Sequence, residues 1–171
     1  MRRVMILLIL CGITCVRVDA AQKKSQPSAG DEKYGGIKLL EGYQITRGWD
    51  VDAAVWSIHK TGGLTINYAA GLNEGRAADP ATKEEYSWFR EQTINGHKVF
   101  LAFIGEGVKT GWEPADSRGL KPGNILLITF PMSENIPSFA ANFRAKIAGP
   151  SELADVLLMV LTFDPSKWGG N

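Results

Sequence analysis

Cysteine and histidine are scarce in this chain. Both cysteines, Cys11 and Cys15, fall within the first fifteen residues, and the two histidines, His59 and His97, stand far apart. No CxxC, HExxH, G-x-S-x-G or phosphate-cradling glycine loop occurs, so the usual zinc, dithiol, nucleophile-elbow and P-loop chemistries have no local signature. The only long apolar run is Val4 to Ile13, too short to span a bilayer. Nineteen basic residues against 18 acidic ones leave no electrostatic footprint for nucleic acid.

What is present at the start reads as an address. Arg2 and Arg3 precede the apolar run, and Val18-Asp19-Ala20 places small residues at the −3 and −1 positions of a cleavage site after Ala20. Residues 1–20 are therefore expected to be a secretory signal peptide, giving a secreted or periplasmic protein. The twin arginines lack the rest of an export box for folded cargo, which points to general secretion. A lipid anchor would need small residues before Cys11 or Cys15; Ile9-Leu10 and Ile13-Thr14 do not supply them. Membrane association is expected only if such an anchor formed. Cleavage would also remove both cysteines, so the fold must rest on its apolar core without disulfides.

Gln22 to Lys33, "QKKSQPSAGDEK", lacks large apolar side chains, and residues 21–36 are expected to be a flexible tether. A single globular domain is expected over 37–167, followed by a tail at 168–171. The roughly 150 residues left after cleavage suffice for one core and are too few for two comfortable domains.

Within "GWDVDAAVWSIHKTGGLTINYAAG" the apolar residues follow a period of two on either side of Thr61-Gly62-Gly63. That pattern predicts a hairpin with Trp56, Ile58, Leu64, Ile66 and Tyr68 on the core face and Ser57, His59, Thr65 and Asn67 on the other. Asn95-Gly96 suits a two-residue type I′ turn, which would set Ile94 opposite His97 and Trp88 opposite Phe103. Val99 to Ile104 and Ile125 to Phe130 are apolar on both faces and are expected as inner strands. Ser138 to Ile147 alternates as a strand with one wet face. From Pro150 the period becomes helical, through Leu153, Val156, Leu157, Val160 and Leu161, with acidic Glu152 and Asp155 early. Leu157 to Phe163 could instead leave the helix as a strand.

The expected fold class is α+β: an antiparallel sheet of about six strands, largely a meander, with a C-terminal helix packed on one face. The order of "EGYQITRG", "AAVWSIHKTGGLTINYAAG", "QTINGHKVFLAFI", "ILLITFP", "ANFRAKI" and "SELADVLLMVLTF" resembles secreted bacterial proteins with a PsbP/Mog1-like α/β sandwich, over roughly Ile37 to Asp164. The resemblance implies mostly non-enzymatic accessory and partner-binding roles, and it transfers no functional residue.

In a simple meander the turns at Thr61–Gly63 and Asn95-Gly96 would share one rim with 131–137, and both histidines would lie there. The long connections 70–85 and 105–123 would share the other rim. That placement makes Arg76, Asp79, Trp112, Glu113, Asp116 and Arg118 the candidate ligand or partner site, a mixed-charge edge around one aromatic. Trp112 and Trp168 could be platforms for a partner or lids on the core. Asp50 and Asp52 are too few and too quickly followed by apolar residues for a calcium loop. Ser57 and His59 share a face, but side chains two apart run parallel and do not converge as a nucleophile and its base must. No catalytic residue, cofactor or metal is expected. The reading is a non-enzymatic binding or accessory module for an exported protein or cell-envelope component. An envelope-polymer hydrolase using a histidine or carboxylate pair is the alternative.

Overall fold

The computed structural model describes residues 34–48, 54–72, 74–105 and 124–168. One antiparallel sheet of seven strands carries the fold. They are β1 (Tyr43–Arg47), β2 (Ala54–Lys60), β3 (Thr65–Gly71), β4 (Trp88–Ile94), β5 (His97–Ile104), β6 (Ile125–Pro131) and β7 (Ala140–Lys146), in the spatial order β1-β2-β3-β7-β6-β5-β4. A single helix among the described residues, α1 (Pro150–Val160), follows β7, and short 3₁₀ turns occupy Pro80–Glu85 and Pro165–Lys167. The architecture is α+β, with one strand more than the sequence pattern indicates. The extra strand is β1, five residues at an edge with only Tyr43 buried, so its alternation is weak.

Both hairpins form, the first with the expected faces and the second in the expected register. Trp56 pairs with Tyr68 and Ile58 with Ile66, while Ser57 pairs with Asn67 on the opposite face. Trp56, Ile58, Leu64, Ile66 and Tyr68 are all buried. In the second hairpin Ile94 pairs with His97 and Trp88 with Phe103. Asn95 and Gly96 adopt φ of 52° and 82°, the two positive values that a type I′ turn requires.

The chain is not a simple meander, however. Two meanders, β1-β2-β3 and β4-β5-β6-β7, are joined where β7 pairs with β3. β7 thus takes the place beside β3, and β4 lies at the far edge running parallel in direction to β3. The connection over residues 72–87 therefore crosses the sheet from the upper end, where β3 and β6 finish, to the lower end, where β4 starts. This corrects the expected rims. The turn at 61–63 lies at the lower end with the ends of the β5–β6 connection, whereas Asn95-Gly96 lies at the upper end with residues 132–139.

The crossover explains a second difference. β7 has no wet face along its middle: Asn142 is 1% exposed, because the segment 75–78 lies over it. Ala77 and Ala78 pack there against Phe100, Ala102, Ile104 and Leu127 to form a small second core.

The main core lies under α1. Tyr68 stacks on Trp56 at 4.8 Å and on Phe143 at 4.4 Å, and Phe163 meets Tyr68, Phe143 and Phe130 edge-on. Such offset and edge contacts add to the area that the rings bury. Trp56 Nε1 and the Tyr68 hydroxyl are buried with no hydrogen-bond partner among the described residues, a cost that the ring packing must offset. Burial pushes the Tyr68 phenol far above its ordinary pKa, so it stays neutral.

The helix starts with Pro150 at its first turn and Glu152 accepting from the Ala148 amide at 2.6 Å. Val156, Met159 and Val160 are buried, and Leu158 is exposed. α1 runs diagonally over the sheet. At its middle the Tyr43 hydroxyl donates to Asp155 at 2.8 Å, and beyond its end the Leu161 carbonyl accepts from Asn95 Nδ2 at 3.0 Å. The burial around Tyr43 and its bond to Asp155 hold that phenol well above its usual range. The helix stops at Val160, and residues 161–163 are neither helix nor strand but turn Phe163 into the core, beneath Gly35. Gly35 has φ of 68°, and a Cβ there would collide with the Phe163 ring.

These faces set unequal costs within one strand. Trp56→Ala is expected to destabilise the protein by about 3 to 5 kcal/mol through loss of the stacked ring, and Ser57→Ala with His59→Ala by about 1 kcal/mol or less. Urea denaturation of both variants beside the parent measures the difference; equal costs would mean that the two faces of β2 are reversed.

Candidate functional site

Of the candidate residues, Arg76 and Asp79 lie on the crossover; Trp112, Glu113, Asp116 and Arg118 lie outside the described residues, as do Asp50 and Asp52. The crossover approaches the sheet closely because the residues that touch it are small. Ala77 and Ala78 sit where larger side chains would hold the backbone away, and their amides donate to Asn142 Oδ1 and Thr129 Oγ1, each at 2.9 Å. Thr129 Oγ1 donates to Asn142 Oδ1 at 2.7 Å, and Asn142 Nδ2 donates to the Gly75 carbonyl at 3.1 Å. Each buried polar side chain in this set has partners, as a dry interior requires.

Asp79 and Arg76 both serve this clamp. Asp79 Oδ1 accepts from the Ala81 amide at 2.9 Å and caps the 3₁₀ turn; its own amide donates to the Tyr86 hydroxyl, which in turn donates to the Ala77 carbonyl. Arg76 is half-buried, with its guanidinium carbon 5.5 Å from the centre of the Phe100 ring, a cation–π contact over the second core. Its Nε is buried without a hydrogen-bond partner among the described residues.

The histidines occupy opposite ends and opposite faces of the sheet, not one rim. His59 lies at the lower end on the face away from α1, beside Gln44 and Thr65 in register. On that face the row Thr46, Ser57, Asn67 and Arg144 runs across four strands, with Ser57 Oγ donating to Asn67 Oδ1 at 3.4 Å. His97 lies on the α1 face at the upper end, where its Nε2 is 3.3 Å from Asp164 Oδ1.

Asp164 also accepts from the Ser166 hydroxyl at 2.6 Å and the Ser166 amide at 2.9 Å. A serine, a histidine and an aspartate thus meet, but in an order that cannot activate a nucleophile. The carboxylate lies between the other two, whereas catalysis needs the imidazole between serine and acid. The serine bond is the largest of the effects that hold the Asp164 carboxyl below the usual carboxylate range, and partial burial opposes it. Among the described residues no three His, Cys, Asp or Glu side chains are grouped to hold a metal, and no helix is long and apolar enough to cross a membrane.

A different feature emerges at the upper end. Leu72, 55% exposed, leaves β3 beside the start of β7, and Ile136, 44% exposed, sits in the β6–β7 connection. That connection is closed by the Met132 amide donating to the Phe139 carbonyl and the Phe139 amide donating to the Ile136 carbonyl. Trp168 lies edge-on to Phe139 at 6.1 Å and packs against the core. Trp168 is therefore a partial lid on the core. The pattern that marks this rim in sequence is two large apolar residues, Leu72 and Ile136, placed among loop residues where no strand or helix period accounts for them.

Comparison with protein-family models, curated proteins and solved structures returns no match. The chemistry of the site must stand on its own geometry.

The clamp gives a direct expectation. Asn142→Ala leaves the Ala77 amide and the Gly75 carbonyl without their partners and should cost about 2 to 3 kcal/mol. Hydrogen exchange at Ala77 and Ala78 should accelerate more than in the strands; a uniform change across the sheet would mean that the amide does not fasten the crossover.

Proposed function

We propose that this protein is a non-enzymatic binding or accessory module, acting after export in a secreted or periplasmic setting, and that its architecture is of the PsbP/Mog1 kind. Its partner on this reading is another exported protein or a cell-envelope component. The observation that carries the proposal is the apolar rim at the upper end: Leu72 and Ile136 exposed, with Met132, Phe139 and Trp168 half-buried behind them. Exposed large apolar side chains grouped at one end mark contact sites more often than catalytic ones. The polar groups support the same direction. His97 and Asp164 fasten the C-terminal turn to β5, and Ser57 and His59 project side by side from one strand.

The architecture part of the proposal rests on element order: two meanders, a crossover and a helix closing one face. A fold of this kind states no partner by itself, so the rim must be tested directly. The purified chain is immobilised and offered the envelope fraction of its exporting cell, beside the double variant Leu72→Asp with Ile136→Asp. These exposed positions should change stability by only about 0.5 kcal/mol, and the double variant should lose the species that the parent retains. Retention of the same species by both would remove the rim from the account. Degradation of an envelope polymer by the parent, abolished in His59→Ala, would favour the hydrolase instead.

A further inference from the structure

The sheet ends on one side in β4, whose sequence Trp88-Phe-Arg-Glu-Gln-Thr-Ile94 contains neither glycine nor proline. Residues 90–93 are exposed, and Trp88 is 47% exposed although it opens a strand. Ile94 and His97 flank a two-residue turn, so that pair exchanges both of its hydrogen bonds. Alternation then directs the backbone groups of Trp88, Arg90, Gln92 and Ile94 toward β5. The N–H and C=O groups of Phe89, Glu91 and Thr93 face outward along the edge, where no strand among the described residues pairs with them.

We infer that this edge pairs with the β4 edge of a second copy, antiparallel, about a two-fold axis through Glu91, to make one continuous sheet across two molecules. The inference goes beyond the binding reading and does not depend on it. What selects a second copy is the symmetry of the strand about Glu91. On the α1 face a two-fold there sets Trp88 opposite Ile94 of the second copy and Arg90 opposite its Gln92; on the other face Phe89 meets Thr93. Each aromatic or apolar residue gains a compatible cross-strand neighbour, twice over. Moving the axis to Arg90 would oppose two guanidinium groups and set Trp88 against Gln92. Moving it to Gln92 would leave Trp88 beyond the paired segment.

One feature opposes the pairing. Glu91 faces its own symmetry mate, and like charges directly opposite repel. Each copy answers this within itself, because Lys98 on β5 lies 3.1 Å from Glu91 and flanks it on the same face. The charges across the axis then run Lys98, Glu91, Glu91, Lys98, with no net charge. An isolated edge strand with central charges is a common guard against association; here the charge is neutralised inside the chain, and the apolar residues lie at matched distances on either side.

Sedimentation velocity on the purified chain, from low to high micromolar, tests this together with hydrogen exchange at the same concentrations. A concentration-dependent doubling of mass is expected. The amides of Phe89, Glu91 and Thr93 should change from fast to slow exchange as the dimer forms, while those of Arg90 and Gln92 stay slow throughout. Trp88→Ala should weaken the dimer roughly tenfold, since two cross-strand pairs are lost. Glu91→Gln should tighten it, and Lys98→Ala should loosen it. Of the backbone hydrogen-bonding groups Glu91→Pro removes only an outward donor, and it should leave a folded monomer; if that variant does not fold, exchange in the parent decides. A monomer at all concentrations with fast exchange at 89, 91 and 93 overturns the inference, as does a dimer in which those three amides remain fast.

Discussion

The pairing of β3 with β7 is the contact on which the rest of the fold depends. It joins residues far apart in sequence, Ile66 to Gly71 with Ala140 to Ala145, and at its centre the rings of Tyr68 and Phe143 lie 4.4 Å apart and nearly parallel. Once β7 occupies the position beside β3, β4 must go to the other edge, and the chain must cross the sheet to reach it. The crossover, its alanine pair, the Asn142–Thr129 clamp and the second core all follow from that one neighbour relation. The long-range closure carries an entropic cost that grows only slowly with the length of chain enclosed, and the aromatic cluster around Tyr68 is what offsets it.

The same closure builds the upper rim. Leu72 is brought beside the β6–β7 connection because Gly71 pairs with Ala140. The C-terminal segment is then fastened over it by several separate bonds. Asn95 Nδ2 reaches the Leu161 carbonyl, the Lys38 amide reaches Thr162 Oγ1, and the Asp164 amide reaches the Gly35 carbonyl. Trp168 is held against Phe139 by this arrangement rather than by regular structure of its own. An apolar rim carried on such anchors can be exposed without being loose, which would favour the proposed binding because less ordering is left to the moment of contact.

How much was legible in the sequence follows the range of the interactions. Both hairpins could be read because period-two alternation and the Asn95-Gly96 turn are local: the faces of the first and the register of the second are those observed. The helix was readable from Pro150 and the spacing of Val156 and Val160, but not its end, because Phe163 is apolar for the sake of the core and not of the helix. The neighbour of β3 was not readable, since nothing within β3 distinguishes β7 from β4. Every later misplacement came from that point, including the rims, the wet face assigned to Asn142 and the pairing of the histidines. Of the proposed site, Arg76 and Asp79 stand out in the sequence only because they lie in a long connection. The length of that connection answers to the width of sheet to be crossed.

If the β3–β7 pairing unites the two meanders, they cannot open independently. Native-state hydrogen exchange at low denaturant measures this, comparing the amides of Ile58 and Ile66 in the first meander with those of Leu101 and Ile128 in the second. The account expects one common opening free energy and one common denaturant dependence for all four. Opening of the first pair at a lower free energy, while the second remains protected, would contradict it and make the two meanders separate folding units.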